Sequence, residues 1–278
     1  MPIEIKDLCL SYSQNNVLCN IDLNIDEGQM IGIIGQTGSG KTSLVQLIAG
    51  LIKPSSGTVL VDGDDIFDKK YDRAILRKKL GIVFQYPESQ LFEQSVGKDI
   101  AFGLKKSGLS KSEKTAQVKW AMQLLNLDFE KIKDKSPLAL SGGEKRKVAI
   151  AGVIVTKPKY LILDEPIAGL DPSSRNDFMK MLFSLKQSGT TVIMVSHNAD
   201  CLAEYMDRII VIDNGKIAMD SSPNEVYSRI DELKKMSLGT CTVKDICYKL
   251  SHSGIDISDE ILKYDDLLNA LSGYFTYE

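Results

Sequence analysis

The 278-residue chain contains no run of eighteen uncharged apolar residues, the least that a membrane-crossing helix needs. Its opening, Met1-Pro2-Ile3-Glu4-Ile5-Lys6, also lacks the long apolar stretch of a secretory leader. The expectation is a protein neither secreted nor membrane-spanning by itself, so that any membrane contact runs through other proteins. An excess of one charge is missing too: 34 Lys and Arg stand against 37 Asp and Glu, a formal net charge of −3. That balance gives no basic footprint for tight nucleic-acid binding and no polybasic membrane anchor. Cysteine is sparse. Cys9, Cys19, Cys201, Cys241 and Cys247 are odd in number and without metal-ligand spacing, and Cys241 and Cys247 stand too far apart for a Cys-x-x-Cys pair, so reduced cytosolic thiols are expected. No internal repeat or low-complexity tract is visible. With 43% hydrophobic residues, the chain suits one large globular domain, or a domain plus an appendage.

What the chain does have is a phosphate cradle. Gly35, Gln36, Thr37, Gly38, Ser39, Gly40, Lys41, Thr42 and Ser43 follow the apolar run Met30 to Ile34 and lead into Leu44 to Ile48, which reads as strand, loop and helix. The three glycines let the backbone turn its N–H groups inward around an anion, and a helix starting near Lys41 adds the positive end of its dipole. Lys41 would reach the β- and γ-phosphates, and the Thr42 hydroxyl would serve Mg²⁺. A flexible glycine-rich linker has no need of Lys-Thr at that offset or of a strand just before it.

Around this loop the pattern alternates between strand and helix. Ile3 to Tyr12 and Val17 to Ile25 read as half-buried antiparallel strands joined by a turn at Ser13 to Asn16. At the end of the first, Tyr12 is placed to stack on a base, although position alone favours a packing tyrosine. Thr58 to Val61 make a further strand; a short helix near Arg73 to Lys79 leads to the strand Leu80 to Phe84, which delivers Gln85 where ligands collect in open α/β sheets. From Val96 to Val155 the spacing is helical, with Ala116, Trp120, Leu124, Leu125 and Leu127 in phase and no strand signal. Within it, Ser141-Gly142-Gly143-Glu144 precedes an apolar helix, Val148 to Val155; a capped helix start and an open anion site read equally well. The buried-strand run Tyr160 to Leu163 ends in Asp164 and Glu165, the first suited to Mg²⁺ and the second to polarising a water that attacks a γ-phosphate. Asp171-Pro172 starts the next helix. The strand Thr191 to Val195 then delivers Ser196-His197, a third strand end aimed at the same presumed crevice, although a lone histidine is more often structural. Arg208 to Asp213 and Lys216 to Ala218 form a hairpin around Asn214-Gly215, and the core ends near Arg229. In the tail, Val243, Ile246, Cys247 and Leu250 share one helical face that Thr242 would cap; Ile257, Ile261, Leu262, Leu267, Leu268 and Leu271 repeat the pattern less cleanly, interrupted by the charged stretch Lys263 to Asp266. Helices this short must pack on something.

Taken together, the P-loop, Gln85, Leu140-Ser141-Gly142-Gly143-Glu144, Leu163-Asp164-Glu165-Pro166 and His197 resemble the ATP-binding cassette ATPases over roughly residues 1 to 228. The fold this implies is α/β: a P-loop nucleotide-binding domain over 1–229, with a RecA-like core, an antiparallel β-subdomain and a helical subdomain at about 86–155, followed by a small helical extension, 230–278, that serves dimerisation. By the same resemblance Tyr12 stacks on adenine, Gly35 to Ser43 bind phosphates, and Ser141, Gly142, Gly143 and Asp171 contact nucleotide. Glu165, His197 and Gln85 are catalytic, Thr42, Gln85 and Asp164 hold metal, and the cofactors are ATP and Mg²⁺. More narrowly, Phe84-Gln85-Tyr86-Pro87-Glu88-Ser89-Gln90-Leu91-Phe92 and Ala149-Ile150-Ala151-Gly152-Val153 resemble the energy-coupling factor transporter ATPases, which drive vitamin and metal uptake in prokaryotes. Glu165-Pro166-Ile167-Ala168-Gly169-Leu170-Asp171 is similar to the second of their two ATPase types, with Ile167 and Ser196 in place of two usual threonines. The partners implied are a second ATPase, homologous or identical, a transmembrane coupling subunit that would dock around Gln85 to Phe92, and a substrate-binding membrane subunit. No nucleic acid is implied, and the location is peripheral, on the cytoplasmic face of the cell membrane. The alternatives are a soluble cassette ATPase acting on DNA or ribosomes, whose usual long coiled-coil insertion or second cassette is missing here, and a small-molecule phosphotransferase, against which the Ser141 to Glu144 motif argues.

Overall fold

The computed structural model describes residues 2–13 and 15–272, so Gln14 of the expected first turn and the last six residues of the expected tail lie outside the described residues. From the N-terminus, β1 (Ile3–Tyr12) and β2 (Asn15–Ile25) form a hairpin, β3 (Met30–Ile34) runs into α1 (Lys41–Ile48), and β4 (Ser56–Val61) and β5 (Asp64–Asp65) follow. Next, α2 (Arg73–Lys79) leads into β6 (Leu80–Val83). Four helices, α3 (Val96–Ala101), α4 (Lys111–Leu124), α5 (Phe129–Ile132) and α6 (Gly142–Ile154), then intervene before another strand. Alternation resumes with β7 (Tyr160–Asp164), α7 (Pro172–Gln187), β8 (Thr191–Val195) and α8 (Ala199–Tyr205), and closes in the hairpin β9 (Arg208–Asp213) and β10 (Lys216–Ser221). The C-terminal run is α9 (Pro223–Ser228), α10 (Ile230–Lys235), α11 (Thr242–His252) and α12 (Tyr264–Ser272).

Two sheets result. The antiparallel one has the order β2-β1-β4-β5, and the larger one has the order β10-β9-β3-β8-β7-β6, parallel throughout except for its β9–β10 edge. Side chains alternate across the large sheet. Met30, Leu161, Leu163, Val192 and Met194 face a core shared with α4, α6 and α7, whereas Ile31, Ile33, Ile162 and Ile193 face a second core filled by α1 and the small sheet. Because both faces are covered, β3, β7 and β8 are buried along their whole length and read as unbroken apolar runs. The register sets Ile33 and Asp164 on either side of Val195, which brings the ends of three parallel strands to one edge.

The sheets are also pinned at the opposite edge. Asp62, in the β4–β5 turn, accepts hydrogen bonds from Lys159 Nζ (2.6 Å) and Tyr160 Oη (2.8 Å) and pairs with Lys79 Nζ at 2.7 Å. Burial opposes its charge, but these three donors hold the Asp62 carboxyl down to about 2.

Several elements depart from the sequence reading for local reasons. Helix α6 begins at Gly142 instead of Val148, because Ser141 and Glu144 form a reciprocal capping box that starts the helix at once. Thr242 does not cap α11. Cys241 holds the N-cap position, and the Thr242 N–H and hydroxyl both donate to the Asp200 carboxylate, so α8 caps the tail helix from outside it. The charged stretch does not interrupt a helix either: Asp265 and Asp266 lie in the first turn of α12, where acids suit the helix dipole. Val243 and Cys247 of α11, Ile257 of the connecting loop and Leu267 of α12 form a separate apolar cluster.

Candidate active site

The site begins where β3 gives way to α1. Two glycines there have no substitute: a Cβ on Gly35 would lie 2.3 Å from the Ile212 carbonyl oxygen, and Gly40, at φ +107°, would place one 2.6 Å from Leu18. Helix α1 has no side-chain cap and no acid in its first turn, so its terminal N–H groups remain free for an anion. Lys41 is buried, and its Nζ donates to the carbonyls of Gly35 and Gln36, both at 2.7 Å. Burial lowers the pKa of this ammonium group, and the nearby Glu165 and Asp164 carboxylates oppose that shift. The buried Ser39 hydroxyl has no hydrogen-bond partner. These unsatisfied donors around a lysine suit a phosphate chain.

Across the edge stand the acids. The Thr42 hydroxyl donates to Asp164 Oδ2 at 3.0 Å, although β8 lies between β3 and β7, because α1 crosses the sheet face toward β7. Paired hard oxygens of this kind fit Mg²⁺, which takes the rest of its shell from phosphate and water. Burial raises the pKa of both acids; the Thr42 hydrogen bond and Lys41 pull Asp164 back, while the His197 N–H and Lys41 pull Glu165 back against the neighbouring Asp164 charge.

Glu165 turns away from the strand at φ +50°, its N–H donating to the Val195 carbonyl at 3.0 Å. Its Oε1 is buried without a hydrogen-bond partner, 3.4 Å from His197 Nε2. Burial and then the Lys41 charge keep the His197 imidazole below its usual pKa, so this approach is not an ion pair near neutrality.

A cavity of about 540 Å³ brings together Thr37, Gly38, Lys41, Thr42, Gln85, Asp164, Glu165 and His197. Gly35, Gln36, Ser39, Gly40 and Ser43 build the loop and helix beneath it. Five expected residues lie elsewhere. Tyr12 is exposed at the end of β1; Ser141, Gly142 and Gly143 are exposed at the start of α6; and Asp171 caps α7 by accepting from Ser174 N–H at 3.0 Å. Gly143 and Asp171 instead share a second crevice of about 230 Å³. Arg175 and Asn198 line the main cavity without having been expected there. Asn198 carried a legible signal, an Asn just before a helix, and it does cap α8. Arg175 and Arg146, the latter bound to the loop after β7, carried none.

A family model described as ABC transporter matches residues 18–168. The energy-coupling factor transporter ATP-binding protein EcfA2 of Clostridium perfringens is 46% identical, with 98% of this chain and 97% of that protein covered; its counterpart in Clostridium acetobutylicum is 44% identical over 94% and 93%. Among solved structures, cbiO1 of Clostridium perfringens, described as part of the ABC transporter complex cbiONQ, superposes with a TM-score of 0.76 at 35% identity, covering 91% of this chain and 96% of that one. A dimeric post-hydrolysis state of the ATP-binding cassette MJ0796 bound to ADP and Pi gives 0.71 at 27% identity, over 80% and 98%.

Proposed function

The chain belongs to the ABC transporter family, as an energy-coupling factor transporter ATP-binding subunit of the EcfA2 type that hydrolyses ATP to drive transport, and we propose that it does so as one half of an ATPase pair beneath a membrane partner. The observation that carries the chemistry is the meeting of Lys41, Thr42, Asp164 and Glu165 at one sheet edge, with Thr42 and Asp164 3.0 Å apart. ATP with Mg²⁺ would supply the γ-phosphate and the charge that neutralises it. Lys41 would exchange its two carbonyl partners for phosphate oxygens, while Thr42 and Asp164, with Gln85, would hold the metal. Glu165 would orient and polarise the attacking water, since its buried Oε1 lacks a partner, and His197 would hydrogen-bond the γ-phosphate. Tyr12 would stack on adenine, which its exposure permits.

Ser141, Gly142 and Gly143 lie outside this cavity, which supports their completing the site of a second, identical or homologous ATPase, with Asp171 close to that interface. The chain divides into a cassette over 1–229, a helical arm at about 86–155 and an extension over 230–278 that pairs the two ATPases. Tyr86 and Phe92, 63% and 64% exposed, leave aromatic surface on the segment after Gln85 that would suit a transmembrane coupling subunit. A separate membrane subunit would bind the cargo, a vitamin or metal ion. No described helix is long and apolar enough to cross a membrane; attachment would be peripheral, at the cytoplasmic face, through the membrane partner. A soluble ATPase acting on DNA or ribosomes finds no support among the relatives. Purification from detergent extract with mass spectrometry of the co-purifying proteins is the test: membrane subunits and a second ATPase are expected, and ribosomes or nucleic acid would overturn the reading.

A further inference from the structure

Arg146 lies in the second turn of α6, and its guanidinium reaches the loop that leaves β7. Nη1 donates to the Ala168 carbonyl at 2.7 Å, and Nη2 donates to the carbonyls of Glu165 at 2.9 Å and Pro166 at 2.5 Å. One planar group thus gathers three carbonyls from a stretch of four residues. Glu165 is the residue most in need of such support. It holds φ +50°, a conformation costly for a residue with a side chain, and persists there only if neighbours fix it. Its N–H is tied to β8 through Val195, and its carbonyl is tied to α6 through Arg146. With both flanking peptide groups held, the Cα–Cβ direction is set, and the carboxylate points into the cavity. On the other side, Arg146 faces the turn Pro87–Gln90, which packs on α6, and the Glu88 carboxylate there helps keep the half-buried guanidinium charged.

We propose that Arg146 is the positioning residue for Glu165, fixing the Glu165–Ala168 loop so that the carboxylate meets the attacking water. The inference rests on the reading of Glu165 as the water-polarising group. It concerns turnover in this chain's own cavity, which Glu165 and Ala168 line and Arg146 does not; Arg146 also lines the second crevice with Gly143 and Asp171, so the affinity for a non-hydrolysable ATP analogue is what separates positioning from nucleotide contact. Lysine cannot replace it: a single ammonium carries the charge but lacks the planar fork that spans three acceptors.

The test compares Arg146→Lys, Arg146→Met, Glu165→Gln and the Arg146→Lys/Glu165→Gln double variant, each in the full chain paired with its partner ATPase. Both Arg146 variants are expected to lose about tenfold to a hundredfold in kcat, the scale of a misplaced catalytic group. The KM for ATP and the affinity for a non-hydrolysable ATP analogue should stay within about twofold. Under single-turnover conditions, Arg146→Lys should cost nothing further once Glu165 is Gln, because both changes act through the same carboxylate. Wild-type kcat in Arg146→Lys, the same fractional loss in the Glu165→Gln background, or loss of thermal unfolding cooperativity in both Arg146 variants would overturn the proposal. Near-normal turnover by Glu165→Gln would instead remove the reading on which it rests, and the proposal with it.

Discussion

Asp164 and Glu165 adjoin in the chain yet face different tasks, because the backbone leaves the strand between them. Asp164 still belongs to β7 and meets Thr42, whereas Glu165 turns away toward the cavity. Removing the Glu165 charge should therefore spare binding. Glu165→Gln is expected to keep its affinity for ATP while kcat falls by about 10² to 10⁴, the usual worth of a general base, in a steady-state assay of the assembled ATPase pair. Lys41→Ala should do the reverse, weakening nucleotide binding in a titration with a fluorescent ATP analogue. The acid limb of the kcat/KM–pH profile, which reports the nucleotide-free enzyme, carries a further expectation. Burial raises the pKa of Glu165 and the working form is the anion, so activity should fall with decreasing pH at values above those of an exposed glutamate. At this scale the sequence showed what side chains do to ligands. The P-loop glycines, Lys41, Thr42 and both acids sit at fixed offsets from strand ends. Arg146 was hidden because its partners are carbonyls 19 to 22 positions away, and backbone acceptors leave no mark in residue identity.

Elements follow the same division between local and distant causes. Ser141 and Pro172 mark the starts of α6 and α7 within a few residues, although the capping box with Glu144 begins α6 at Gly142, ahead of the Val148 that the apolar pattern marks. The start of α11 depends on Asp200, 42 residues away, and no window around Thr242 could reveal it. The segment after Gln85 is another distant construction: the buried Asp99 carboxylate accepts the Phe92 and Glu93 N–H groups at 2.9 and 2.7 Å, holding this stretch against α3. There Leu91 packs against the larger core, whereas Phe92 stands outward, edge-on to Phe102 at 4.8 Å. Phe92→Asp is the sharper probe of membrane docking for that reason. It should leave the unfolding midpoint nearly unchanged and reduce transport in reconstituted vesicles by at least about tenfold, an effect of the size seen for a buried aromatic anchor; normal assembly and transport would place docking elsewhere.

For the molecule as a whole, the two sheets are joined along a shared apolar core and at the Asp62 clamp. The folded pKa of Asp62 lies below its ordinary 3.8, so its stabilisation is complete above that value and is lost as pH falls toward about 2. Asp62→Asn should cost about 1 kcal/mol at neutral pH, limited by solvent screening, and the deficit should vanish in strong acid; urea unfolding at both pH values measures it. The tail shows which distant packing the hydrophobic pattern could foretell. Its apolar faces were legible, but their partners were not: Leu233 and Cys241 join the larger core and Leu262 packs against it, while Val243, Cys247, Ile257 and Leu267 form a cluster of their own and Leu268 is 64% exposed. Deleting residues 242–278 should spare nucleotide binding and weaken association with the second ATPase in nucleotide-free buffer, as analytical ultracentrifugation would detect.

The start of α6, exposed and outside its own cavity, has a consequence in cell economy. On the proposed pairing a solitary copy is inert, because α6 serves only the other half's site. If the chain self-pairs, its total rate should rise quadratically and its specific activity linearly with concentration below the pairing constant; with a different half, activity should climb to a stoichiometric end point on titration. Copies made beyond that ratio would sequester nucleotide and add no flux, so the abundance of the scarcer half would set the throughput of the pump.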